Sequence, residues 1–335
     1  MYRPPFEITA KIIELISQIS EKVGEIRSLQ NSPSHIRLRK ENRIKTIHSS
    51  LAIENNSLSI EQVTAILEGK RVLGSPREIK EVTNSIEAYD LLLELDPFRE
   101  ADLLKAHRLM MSDLVSESGK YRSGSVGIFD GEHVVHVAPP AGRVPDLMSD
   151  LFEWLRLSDA HPLIKSCVFH YEFEFIHPFQ DGNGRMGRLW QTAILREWRE
   201  VFAWLPVETL IKDNQQAYYS ALAASDKDAD STGFIEFMLS LLLKTIEDVV
   251  ENEKATAKVT VKVTVKVTAN QSKILEALTH NPHATQAELA VIVGITRKSI
   301  IANMKRLQDQ GLIRRKGSDK NGLWLVDATK WQVLP

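Results

Sequence analysis

Residues 176–188 read Ile176-His-Pro-Phe-Gln-Asp-Gly-Asn-Gly-Arg-Met-Gly-Arg188, and the rest of the chain is best read outward from them. His177 brings an imidazole whose ordinary pKa, about 6.5, suits proton transfer near neutrality. Four residues on, the carboxylate of Asp181 can hold a hard cation such as Mg2+, which bridges phosphate oxygens. Gly182, Asn183 and Gly184 tolerate left-handed backbone and close approach, so successive N–H groups can converge on an anion. A helix starts directly after, and its N-terminal dipole adds to the same place. Arg185 and Arg188, three apart, project from one face of that helix, and guanidinium forks match phosphate oxygens. Taken singly, each has an ordinary reading: a core histidine, a turn, a loop, a solvated face. A base, an acid, an amide nest and two guanidiniums within twelve residues make a site that handles phosphate.

Around this loop the pattern is mainly helical. Apolar residues recur at helical spacing at Ile12, Ile13, Ile16, Ile19, Val23 and Ile26. Helical stretches follow over 34–53, 78–95, 100–114, 144–155, 163–175, 187–200, 213–224 and 233–250. Ser59 and Gln62 form a capping box that opens one more helix, ended by Gly69. Residues 119–140 break the pattern with Gly119, Gly124, Gly127 and Gly131. There, Asp130-Gly131 between two apolar runs predicts one short β-hairpin over 126–137. A low-complexity tract, Lys258-Val-Thr-Val-Lys-Val-Thr-Val-Lys-Val-Thr268, alternates with period two. That is a strand pattern with one Val face, read here either as a strand packed on a neighbour or as a linker.

Residues 271–335 carry ten Lys/Arg against five Asp/Glu, a net +5 in a chain of net −2. Their spacing gives helix, helix, helix, hairpin, with a capping box at Thr285 and Glu288, a turn at Gly294 and a third helix from Thr296 to Gly311. A polar turn, Gly317–Gly322, separates the hairpin runs. This resembles a winged helix-turn-helix, a DNA-binding fold, with Arg297, Lys298, Lys305 and Arg306 as candidate DNA-phosphate contacts. A protein-interaction or dimerisation role for this unit stays open beside DNA binding. Four regions are expected: 1–95, an N-terminal helical region; 96–250, the catalytic core; 251–270, the strand or linker; 271–335, the winged helix-turn-helix.

The single cysteine, Cys167, excludes an internal disulfide, lies in an apolar stretch and reads as core packing. That usage, together with an N-terminus free of an apolar signal core and no run long enough to span a bilayer, predicts a cytoplasmic protein without a membrane partner.

The loop resembles the signature of the Fic (filamentation induced by cAMP) family, H-x-F-x-D/E-G-N-G-R-x-x-R, at every fixed position. The resemblance extends over roughly 40–250. It implies a Fic-type helical bundle with the hairpin as a flap, and transfer of AMP from ATP to a protein hydroxyl with release of pyrophosphate. His177 would be the general base and Phe179 would anchor the loop. Asp181 would bind Mg2+. Gly182, Asn183 and Gly184 would form the anion hole, and Arg185 and Arg188 would hold phosphates. The flap, with Val134, Val135, His136 and Val137, would register a target segment by β-augmentation. Tyr218 and Tyr219 would line the adenine pocket, or simply pack between helices. Ser50-Leu-Ala-Ile-Glu-Asn55 resembles the family's inhibitory motif S/T-x-x-x-E-G/N, so Ser50 and Glu54 would restrain Arg188. The implied partners are a target protein bearing a Ser, Thr or Tyr hydroxyl, the chain itself as a self-modification target, and DNA through the C-terminal unit. A homodimer stays open. Two other readings also remain: a DNA-binding regulator whose core senses nucleotide or modifies itself, and a related enzyme that uses another nucleotide or removes AMP.

Overall fold

The computed structural model describes residues 2–29, 33–130, 133–263, 265–316, 322–326 and 331–333. It divides into two compact units, Met1–Glu253 and Lys254–Pro335.

The first unit is helical apart from one hairpin. Helices α1 (Ala10–Leu29), α2 (Pro33–Ile53), α3 (Ile60–Leu67), α4 (Pro76–Leu91) and α5 (Glu100–Met110) precede strands β1 (Gly127–Asp130) and β2 (His133–Val137). After them come α6 (Val144–Leu157), α7 (Pro162–Ile176), α8 (Asn183–Trp198), α9 (Val207–Asp213), α10 (Gln215–Asp228) and α11 (Thr232–Val263). Helix α7 occupies the centre: from Ser166 to Glu174 every residue is buried. A helix buried on all sides has no solvent face to present, and the others wrap it, its polar side chains Ser166, His170, Glu172 and Glu174 included. One continuous core includes residues from α1 through α11, among them Ile12, Ile47, Val82, Leu103, Phe152, Phe169, Trp190 and Phe234. Cys167 lies in this core, and burial pushes its thiol up to about 12, which makes it inert packing. Strands β1 and β2 pair antiparallel, with a bulge between Ile128 and Phe129.

In the second unit, β3 (Val265–Val267) precedes α12 (Ala269–His280), α13 (Gln286–Val293) and α14 (Arg297–Asp309). Strands β4 (Ile313–Lys316), β5 (Leu323–Val326) and β6 (Trp331–Val333) follow. β4 pairs antiparallel with β5, and β3 pairs parallel with β6. Ile274, Leu278, Leu289, Ile300, Leu307 and Leu312 fill a separate small core. The wing turn read at 317–322 falls, up to residue 321, outside the described residues.

The Val/Thr/Lys tract, read as a strand or a linker, divides between a helix end and a short strand paired with β6. α11 runs through to Val263, and strand is limited to Val265–Val267. Extending an existing helix adds one hydrogen bond per residue, whereas a strand needs a partner along its whole length. β6 offers that partner for three residues only. Thr268, the last residue of the tract, is the N-cap of α12 and forms a capping box with Gln271.

Candidate active site

The loop begins where α7 ends. His177 is the C-cap residue, with φ 51° and ψ 60°. A non-glycine residue in that left-handed region carries strain of about 1–3 kcal/mol, kept where surrounding contacts impose it. Its N–H still donates to Phe173 O at 2.9 Å. Nδ1 lies 3.4 Å from the carbonyl of Glu174. In the tautomer that donates this bond, Nε2 carries the lone pair a general base needs.

Two residues later the loop is fastened down. Phe179 is fully buried, stacked on His107 at 3.6 Å and 4°, with Tyr121 and Phe173 at 5.6 and 6.0 Å. Asn183 spends its side chain on the same residue: Oδ1 accepts from Phe179 N at 2.8 Å and Nδ2 donates to Phe179 O at 2.9 Å. His107 closes the clamp. Its Nδ1 accepts the N–H of Gly119 at 2.9 Å, so Nε2 carries the proton donated to Asp181 O at 3.0 Å. Burial lowers the His107 pKa to about 4, which keeps the ring neutral and this tautomer fixed.

Gly182 has φ +86°, and a Cβ there would lie 2.6 Å from Met111 Sδ, so backbone and space both call for glycine. Helix α8 starts at Asn183, and the first N–H groups of a helix have no acceptor within it. Here they open beside a cluster of paired charges, Arg77 and Arg185 with Asp181 and Glu81. Asp181 Oδ1 accepts from Gly182 N at 2.6 Å and from Arg185 Nη2 at 3.0 Å, and Oδ2 faces Arg77 Nη2 at 3.4 Å. Arg185 Nη1 also lies 4.0 Å from Glu81.

Arg188 is buried one turn further along. Nη2 donates to Glu54 Oε1 at 2.8 Å and to Ser50 O at 3.0 Å, and Nε donates to Ser50 Oγ at 3.2 Å. Burial alone would pull the guanidinium pKa down. The charge of Glu54, with smaller contributions from Tyr218 and Glu174, more than reverses that and holds it above its ordinary value. Gly184 lies against the pair: a Cβ there would fall 2.5 Å from Glu54 Oε1 and 3.0 Å from Arg188 Nη1. The C-terminal end of α2 is therefore seated on the start of α8.

Tyr218 is 2% exposed and hydrogen-bonds His170 Nε2 at 2.9 Å, while His170 Nδ1 faces Gln191 Oε1 at 2.7 Å. Tyr219 is half-exposed and within electrostatic reach of Glu54 and Arg188. Of the flap residues, Val137 is exposed; the side chains of Val134, Val135 and His136 lie outside the described residues. Arg297, Lys298, Lys305 and Arg306 all stand exposed on α14. Three residues of the site went unread in the sequence: His107, Arg77 and Glu81. Each is an ordinary helix residue, and only its position in the fold brings it to the loop.

Residues 97–195 match the Fic/DOC family, and residues 268–314 match a winged helix-turn-helix DNA-binding family. A solved Fic family protein from Desulfovibrio desulfuricans G20 is 44% identical, covering 98% of this chain and 99% of that one, with a TM-score of 0.75. The chain belongs to the Fic family. Its fold is the mainly helical Fic fold with a C-terminal winged helix. Among curated proteins it is similar to the protein adenylyltransferases Fic of Aedes aegypti, at 26% identity over 264 residues, and of Nematostella vectensis, at 28% over 251 residues. These alignments take in 71% and 70% of this chain and 49% and 55% of the relatives, so the chain spans about half the length of the curated relatives it matches. Among the described residues, no helix is long and apolar enough to cross a membrane.

Proposed function

We propose that this protein transfers AMP from ATP to a Ser, Thr or Tyr hydroxyl of a target protein, itself included, and that Glu54 holds the reaction in check. The observation that carries the reading is the meeting of the two motifs at Arg188, where Ser50 of α2 and the Glu54 carboxylate just beyond it take the donors that a phosphate would take.

His177 takes the proton of the target hydroxyl. The oxygen attacks the α-phosphorus, the bond to the bridging oxygen breaks, and pyrophosphate leaves. Little of this chemistry is covalent work by the protein, so catalysis is mostly positioning and charge stabilisation. The leading N–H groups of α8 and the forks of Arg185 and Arg188 receive phosphate oxygens. Asp181 suits Mg2+, because that ion is commonly held by one or two carboxylates plus substrate phosphates, and this carboxylate is partly exposed beside phosphate-binding guanidiniums. Bound there, the ion would neutralise phosphate charge. Tyr219, with the ring of Tyr218 behind it, is assigned to the adenine side. Residues 1–95 then carry the inhibitory helix, and 96–250 carry the catalytic core. The exposed cations of α14 are assigned to DNA phosphates.

In the test, Glu54→Gly protein is incubated with ATP and Mg2+ and its intact mass is read, with Glu54→Gly/His177→Ala as control. The expected result is added AMP on the Glu54→Gly chain, about 5–150-fold faster than on the parent, the range of ordinary coupling energies. A folded Glu54→Gly chain that gains no AMP, or gains it no faster than the parent, overturns the reading of the brake. Transfer that persists without His177 overturns its role as base.

A further inference from the structure

One buried side chain outside the loop touches both elements that a protein target would meet. Arg122 lies on the segment between α5 and β1 and is 3% exposed. Its backbone N–H donates to Pro178 O at 2.9 Å. Its guanidinium donates to four carbonyl oxygens. Nε reaches His177 O at 2.7 Å, and Nη2 reaches Ile176 O at 3.3 Å. Nη1 reaches Gly124 O at 2.9 Å, and Nη2 also reaches Pro139 O at 2.5 Å. The first two acceptors lie at the end of α7, where carbonyls lack helical partners and the dipole favours a cation. The other two frame the hairpin: Gly124 lies three residues before β1 and Pro139 two residues after β2.

Among the described residues, no carboxylate forms an ion pair with this guanidinium, and burial pulls its pKa down. A buried cation served only by carbonyl dipoles is a costly way to fill space, and an apolar side chain would fill it at less cost. What the guanidinium adds is a planar fork whose donors point in fixed directions. Its plane is shared by the legs of the hairpin and by the backbone of His177. Neither can shift without breaking bonds to the other.

We infer that Arg122 is a positioning residue that sets the hairpin in register with His177, so that a target segment added to the hairpin edge is presented to the imidazole at a fixed distance. This rests on the proposed reading of the hairpin as the target-binding flap. Arg122 thus governs turnover and target presentation while leaving the nucleotide site alone.

The test uses Arg122→Lys in the full-length Glu54→Gly chain. Lysine keeps the charge and loses the fork. Hydrogen exchange is followed in peptides spanning 124–130, 133–139 and 176–182. Self-labelling is measured against ATP concentration, and ATP binding by calorimetry. Exchange is expected to rise in the hairpin legs and in 176–182 together. The labelling rate at saturating ATP is expected to fall at least tenfold, while the half-saturating ATP concentration and the ATP dissociation constant stay within twofold. Faster exchange confined to one of the two elements overturns the proposal, as does an unchanged labelling rate or lost ATP binding. Should the lysine variant fail to fold, Arg122→Gln, which keeps an amide donor, takes the same measurements. Unfolding of both overturns the proposal, since Arg122 would then be holding the core. If the Glu54→Gly parent itself gains no AMP, the functional reading fails separately, and the paired exchange still decides the coupling.

Discussion

Between His177 and Arg188 most polar side chains are already engaged with a neighbour, whereas along α14 the cations stand in water. Asn183 is spent on Phe179, His107 on Asp181, and the side chain of Arg188 is 2% exposed against Glu54. Arg297, Lys298, Lys305 and Arg306 are exposed. On the proposed function, the contrast separates two ways of meeting phosphate. A reaction needs donors fixed before the substrate arrives, since reorganising them would consume the stabilisation they provide. Gripping a polyanion mainly needs charge that can displace counterions, and long mobile arms serve that well.

Four measurements would break or sharpen this contrast. His177→Ala in the Glu54→Gly background should cut AMP transfer by about 10²–10⁴-fold with ATP binding retained, the usual worth of a general base. A smaller loss in a radiolabel assay would mean the imidazole is not the base. Phe179→Ala should lower folding stability by about 3–5 kcal/mol in urea melts, because it empties the buried slot between His107 and Tyr121. A loss within about 1 kcal/mol, the scale of a tolerated core swap, would show the loop is not anchored there.

Acid sensitivity gives the third. His107 and His170 are depressed by burial to about 4 and remain neutral in the fold. The stability they permit is complete above about 6.5 and is lost as pH falls toward 4. Glu172 and Glu208 are raised by burial to about 7, so they hold protons that the unfolded chain would release. Their contribution is full below about 4.5 and is lost as pH rises through 7. The two pairs oppose each other, and wild-type stability should change little between pH 7 and 5. Glu208→Gln, which keeps an acceptor for Tyr89, removes one opposing group. That variant should lose about 2–3 kcal/mol more than wild type over the same interval, at roughly 1.4 kcal/mol per pH unit. Parallel pH dependences in the two proteins would refute the assignment. Smallest of all, replacing both Arg297 and Lys298 by Ala should reduce the slope of log affinity against log salt on random DNA by about 0.9 per residue, with AMP transfer unchanged. An unaltered slope would remove α14 from the DNA surface.

How much of this was legible in the sequence depended on how far apart the interacting residues lie. The 177–188 loop was readable because its histidine, aspartate, glycines and arginines fall within twelve positions. Local caps were equally readable: Ser59 with Gln62 and Thr285 with Glu288 both close as their spacing predicts. Glu54, 134 residues from Arg188, was reachable only through a family resemblance. His107 and Arg122 meet the loop across 74 and 55 residues, with nothing in their local pattern to mark them. The Val/Thr/Lys tract was only partly legible, for a different reason. Its alternation reports a side-chain preference, but the backbone bonds of a helix entering from Thr232 decide most of it.

Gly184 has a further consequence. Its missing methyl leaves the hollow into which the Glu54 carboxylate fits beside Arg188. Any larger residue at 184 would displace that carboxylate and crowd the start of α8 in a single stroke. On the proposed reading of Glu54 as a restraint, loosening it by bulk at 184 would also disturb the helix start beside it, whereas a change at position 54 would leave that start alone.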